Sequence, residues 1–111
     1  METTDASDAF SALGQPIRLA VLRLLIRAGH DGMTAGDIAT AQDARANTMS
    51  SHLATLSAAG LVTSVREGRH IRYRADMDRL GGLISFLVED CCGGRPELCR
   101  PVVESLSAKA C

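Results

Sequence analysis

The sequence predicts a mainly α-helical domain carrying one β-hairpin, an α+β fold. Three observations point to it. Apolar residues make up 46% of the chain, yet only three residues are aromatic, so the core must be aliphatic. Such an inventory suits helices packed on helices better than a large sheet. The hydrophobic period is helical from Ala6 to Leu56, alternates between Leu61 and Arg74, and is helical again from Asp76. Glycine and proline stand at the seams between these stretches. With 111 residues the chain has length for a single core.

The elements follow in order. Ala6, Ala9, Phe10 and Leu13 fall at helical spacing, and Gly14 ends that short first helix. Pro16 suits the first turn of a second helix, where its missing N–H costs nothing. Ile17, Val21, Leu24, Leu25 and Ala28 form one stripe there, widened by Leu19, Leu22 and Ile26. A helix apolar around most of its circumference belongs at the centre of the core. Gly29-His30-Asp31-Gly32 closes it. Thr34 and Asp37 have the spacing of a capping box, with Asp for the usual Glu, and start a short third helix through Ile38 and Ala39. Gln42 to Arg45 is polar and reads as a tight turn. A fourth helix carries Met49, Leu53 and Leu56, and Gly60 is its C-terminal stop.

Residues 61–66 and 71–74 are rich in β-branched side chains and alternate, with Glu67-Gly68-Arg69-His70 as a turn between them. Ile71 and Tyr73 share one face of the second strand, Arg72 and Arg74 the other. From Asp76 a last helix carries Leu80, Leu83, Ile84, Leu87, Val88 and Cys91 as a stripe, with Asp76 or Asp78 at its start and Gly93-Gly94 at its end. The tail from Arg95 to Cys111 holds Pro96 and Pro101 and shows no clear long element. The organisation is thus a domain over residues 1–92 and a tail over residues 93–111.

The formal net charge of −1 favours no partner, but its distribution does. Glu2, Asp5 and Asp8 make the first fifteen residues acidic, whereas residues 61–75 hold Arg66, Arg69, Arg72 and Arg74 against Glu67 alone. A basic stripe on a near-neutral chain can hold a local anion-binding surface. No apolar run is long enough to cross a membrane, and the acidic, polar N-terminus is unlike a secretory signal. The expected compartment is the cytoplasm, where disulfides are rare. The four cysteines, Cys91, Cys92, Cys99 and Cys111, are therefore read as metal-binding or redox-sensing. Thiolates select soft ions.

Two helices joined by a short polar turn and followed by a basic hairpin make the order of a winged helix-turn-helix, whose second helix enters the DNA major groove. Asn47, Thr48, Ser50, Ser51 and His52 crowd the first half of that helix with side chains able to reach base edges. Arg45 precedes it, placed for a phosphate. Arg66, Arg69, His70 and Arg72 fit a wing that tracks the DNA backbone.

Three segments carry a family resemblance. Residues 12–25 (Ala-Leu-Gly-Gln-Pro-Ile-Arg-Leu-Ala-Val-Leu-Arg-Leu-Leu) resemble the opening of ArsR/SmtB-type repressors. Residues 47–62 resemble their recognition helix and its exit, and residues 66–74 their wing. The resemblance runs from about residue 8 to residue 92. It implies a homodimeric repressor that leaves its operator, a double-stranded DNA site, when an effector binds. The implied dimer interface lies on the first and last helices, at Phe10, Leu13, Leu80, Leu83, Ile84 and Leu87. One departure is the pair Gln42-Asp43, where the family often has Leu-Gly; it bears on the shape of the turn.

The resemblance also orders the effector sites. Many arsenic sensors of the family carry Cys-x-Cys on the third helix, and this chain has no cysteine there. The family's zinc sensors use Asp and His on the last helix, but His30, His52 and His70 all lie elsewhere. A third variety has adjacent cysteines at the end of the last helix and one more shortly after. Cys91, Cys92 and Cys99 resemble that pattern, which implies binding of As(III), and of Sb(III), through three sulfurs. The glycines after Cys92 permit a chain reversal, and a pyramidal three-thiolate site suits a trivalent ion, whereas zinc usually takes four ligands. Cys91 also continues the apolar stripe, so packing competes with ligation there. Cys111, as the last residue, has the weakest claim to a ligand role. Two other readings remain at this stage. The cysteines could sense oxidants or persulfides on the same fold, or serve a thiol-dependent enzyme or metalloid carrier. The last lacks a histidine beside Cys91 or Cys92 to act as base.

Overall fold

The computed structural model describes residues 1–88 and 96–109. The chain runs α1 (Thr3–Leu13), α2 (Pro16–Ala28), a 3₁₀ turn (Gly29–Asp31), β1 (Met33–Thr34), α3 (Ala35–Ala41), α4 (Ala46–Ala58), β2 (Val62–Glu67), β3 (His70–Ala75), α5 (Met77–Val88) and α6 (Pro96–Lys109). The mainly helical winged helix-turn-helix predicted above is the fold observed.

α1 buries a face made only of Ala6, Ala9 and Ala12, and these small side chains let it lie close against α2, α4 and α5. Pro16 opens α2, which contributes Val21, Leu22 and Leu25 to the core. Thr34 caps α3 by accepting the Asp37 N–H at 3.2 Å. Met49, Leu53 and Leu56 of α4 are fully buried and meet Ile38, Leu25 and Leu61 in one aliphatic core.

α3 and α4 end in the same way. Beyond α3, Asp43 takes a left-handed φ of 51°, its N–H bonds the Thr40 carbonyl at 3.1 Å, and the Ala44 N–H reaches back to Ala39 at 2.9 Å. Beyond α4, Gly60 has φ 78°, its N–H bonds Ser57, and the Leu61 N–H bonds Leu56, both at 3.0 Å. Each is the paired bond pattern of a Schellman ending. Asp43 therefore fills a place where glycine is usual, and aspartate is among the few residues that enter the left-handed region at tolerable cost. The Gln42-Asp43 departure leaves this ending intact.

The sheet has the order β1-β3-β2, all antiparallel. Val62 is buried, whereas Thr63 to Glu67 are exposed, so the hairpin leaves the core after one residue and projects as a wing. A two-residue turn, Gly68-Arg69, joins the strands, with Gly68 supplying the positive φ of 62°. α5 begins on Asp76, whose carboxylate accepts the Arg79 N–H at 3.0 Å.

Three features differ from expectation. α1 starts at Thr3, earlier than its apolar stripe. β1 is an added strand of two residues, paired through Met33 with Tyr73 and Thr34 with Arg72. The tail is helical over Pro96–Lys109, not without a long element: Pro96 takes the first turn, where proline is favoured, and Pro101 is carried inside the helix. Leu98, Val102, Val103 and Leu106 of α6 are exposed.

Candidate nucleic-acid interface

The buried stripe of α4 decides which residues face outward. With Met49, Leu53 and Leu56 turned into the core, Asn47, Thr48, Ser50 and Ser51 are exposed on the opposite side. His52 lies between the two faces and is half-buried. Arg45 is the exposed N-cap of α4. Its guanidinium only donates hydrogen bonds, so it cannot satisfy the first-turn N–H groups. Asn47 Oδ1 accepts the Thr48 N–H at 2.9 Å. Among the described residues no side chain caps Ala46 or Asn47, which leaves their N–H groups open to an external acceptor such as a phosphate oxygen.

The wing adds positive charge. Arg66, Arg69 and His70 are exposed around the Gly68 turn. Arg72 differs from them. Its Nε donates to Glu67 Oε1 at 2.9 Å and its Nη1 to the Asp31 carbonyl at 3.0 Å. The Glu67 contact holds its pKa above the usual arginine value. This guanidinium braces the wing against the 3₁₀ turn that follows α2 and has less freedom to meet an anion than its three neighbours. Arg74 lines a cleft of about 430 Å³ with His30, Asp76 and Asp78.

Sequence reasoning gave Arg18 no role. Its Nε donates to the Ala12 carbonyl at 2.6 Å, at the C-terminus of α1, and its Nη1 lies 3.4 Å from His52 Nδ1 on α4. One side chain of α2 thus ties the end of α1 to α4. His52 is 34 residues away, a separation no local pattern reports.

Of the dimer candidates, Phe10 and Leu87 are 41% and 55% exposed, and Leu13, Leu80 and Ile84 are half-buried. Leu83 is 2% exposed and anchors α5 within its own protomer. Phe86, which the stripe did not include, packs on the same core.

Cys91, Cys92 and Cys111 lie outside the described residues. Cys99 sits in α6, half-buried, with Sγ 3.8 Å from the Val88 carbonyl at the end of α5, and it is disulfide-bonded. Among the described residues no group of three or more His, Cys, Asp or Glu side chains is placed to hold a metal. Among them also, no single helix is long and apolar enough to cross a membrane.

Comparison with known proteins matches this geometry. The family model of a helix-turn-helix domain matches residues 13–65. No curated protein matches the chain. An ArsR-like transcriptional regulator from Rhodococcus sp. RHA1 is 28% identical over 96% of this chain and 93% of that one, with a TM-score of 0.68. The homodimeric winged helix-turn-helix DNA-binding domain of Mb0332 from Mycobacterium bovis, a possible ArsR-family regulator, is 28% identical over 83% and 85%, with a TM-score of 0.62. A possible transcriptional regulator for arsenical resistance is 31% identical over 87% and 95%, with a TM-score of 0.65.

Proposed function

The chain belongs to the ArsR family of transcriptional regulators and binds DNA through its helix-turn-helix; from that premise we propose that it is a cytoplasmic, homodimeric repressor released from its operator by As(III), and by Sb(III). Cys91, Cys92 and Cys99 would hold the ion. The observation that carries this reading is the return of Cys99 to the end of α5. Its sulfur lies 3.8 Å from the Val88 carbonyl, and Cys91 follows Val88 by three residues. A span that short, at most about 3.3–3.6 Å per residue, would let the sulfurs of Cys91 and Cys92 reach Cys99. The likeness to a possible regulator for arsenical resistance supports the same choice of effector.

The proposed mechanism is derepression. Without effector, the α4 helices of the dimer occupy successive major grooves and the wings lie on phosphate. Cys91, Cys92 and Cys99 would supply three soft thiolates to the ion, and holding it would pull on the segment that follows α5. α5 packs on α1, and α1 is tied to α4 through Arg18, so the change reaches the reading helices. Couplings of this kind are typically ~1–3 kcal/mol, a loss of roughly 5–150-fold in operator affinity.

The disulfide at Cys99 favours a second reading, in which thiol oxidation is the signal. Titrating the reduced protein on operator DNA with arsenite, antimonite, zinc, cadmium and peroxide, followed by fluorescence anisotropy, separates the two. Release by arsenite under reducing conditions supports the metalloid reading. Release by peroxide alone, reversed by a dithiol, supports the redox reading.

A further inference from the structure

We infer that Arg18 sets the hydrogen-bonding role of His52, so that the recognition helix offers DNA an N–H donor at that position. The inference rests on α4 being the DNA-reading helix. It starts from the contact of Arg18 Nη1 with His52 Nδ1 at 3.4 Å. Arginine carries donors only. Nδ1 must therefore be the acceptor, and a neutral imidazole that accepts at Nδ1 has its proton on Nε2. Arg18 is itself held. Its Nε gives a short bond of 2.6 Å to the Ala12 carbonyl, one of the C-terminal carbonyls of α1 that lack an intrahelical partner. A cation there also complements the negative end of the α1 dipole. The fork geometry of the guanidinium then fixes where its second donor can meet the ring.

The consequence is chemical selectivity. An Nε2–H donor suits an acceptor, a phosphate or base oxygen or a purine N7, and not the amino groups of cytosine or adenine. His52 lies at the edge of the exposed face of α4, half-buried beside the core stripe. A flank position of this sort meets the sugar-phosphate backbone before it meets a base edge, so the acceptor is a phosphate oxygen. Arg18 is thus a positioning residue for DNA binding and acts through His52.

Two measurements test this. In the free, reduced protein at alkaline pH, nitrogen-15 NMR of the imidazole should show His52 protonated on Nε2 and bare on Nδ1. A proton on Nδ1 overturns the inference, whatever the protein does with DNA. The second is a double-mutant cycle in DNA affinity, with thermal unfolding confirming that each variant is folded. Arg18→Met alone should weaken binding roughly two- to tenfold, the scale of one hydrogen bond. In a His52→Ala background it should cost nothing more, whereas additive losses overturn the role assigned to Arg18. Equal losses on operator and unrelated DNA identify the phosphate as the acceptor; a loss confined to operator DNA contradicts that choice.

Discussion

Asp43 and Gly60 hold equivalent places, one residue past the C-caps of α3 and α4, with φ of 51° and 78°. Each directs the chain out of a helix through the same pair of backbone bonds. The side chain at Asp43 carries the cost of the left-handed region, ~1–2 kcal/mol for an ordinary L-residue and less for aspartate. Asp43→Gly should therefore leave the fold intact and raise stability by up to about 1 kcal/mol. Asp43→Val should lower it by about 1–2 kcal/mol, since a β-branched residue tolerates that region poorly. Urea midpoints of the two variants, measured at one protein concentration, check the sign of each.

Gly60 has less freedom. A Cβ there would stand 3.0 Å from Arg79 Nε, besides requiring a positive φ. Arg79 crosses from α5 toward Asp5 of α1, and its Nε is buried without a partner among the described residues. Moving that guanidinium would disturb the junction of three helices. Gly60→Ala is expected to cost about 1–2 kcal/mol from the backbone conformation alone. A denaturation midpoint equal to that of the parent would contradict the geometry at this corner.

If the wing lies on DNA as proposed, Glu67 would compete with phosphate for Arg72. Replacing Glu67 with Ala removes both the ion pair and the acceptor, and leaves Arg72 held only by the Asp31 carbonyl. The variant should bind DNA more tightly. Its log-affinity should fall more steeply with log salt, by roughly one extra phosphate contact per protomer. In a double variant with Arg72→Met the steeper slope should disappear. Affinity measured at several salt concentrations gives the result directly.

The two faces of α4 should respond separately. Leu53 is fully buried, and Leu53→Ala should cost ~2–5 kcal/mol of stability. Ser50 is exposed, and Ser50→Ala should change stability by less than about 0.5 kcal/mol while weakening operator binding. Thermal unfolding and anisotropy on the same samples separate the two effects.

What could be read from the sequence followed from local rules. The spacing of Met49, Leu53 and Leu56 identified the core face of α4, and Pro16, Thr34 and Gly60 marked helix ends where they occur. Strand β1 could not be read, because two residues form no pattern and their pairing with Arg72 and Tyr73 lies some forty residues away. α6 was hidden by Pro101, which has no N–H to give to the Glu97 carbonyl, although Leu98, Val102 and Leu106 keep a helical spacing. At the candidate nucleic-acid interface, residue types showed Asn47, Thr48, Ser50, Ser51 and His52 as candidates. They could not show that Arg72 is occupied by Glu67 and Asp31, or that Arg18 reaches His52. Those contacts join residues 5 to 41 positions apart; the Glu67 contact needs the hairpin to close, and the other two need the helices to pack.

The metalloid switch is tested most directly by one comparison at residue 92. Reduced wild-type protein and its Cys92→Ser variant are bound to fluorescent operator DNA, and arsenite is titrated into each. Equal starting affinity, release of the wild type, and retention of the variant on DNA across the same range are expected. A wild type that stays bound, or a Cys92→Ser variant released at the same arsenite concentration, would contradict the metalloid switch.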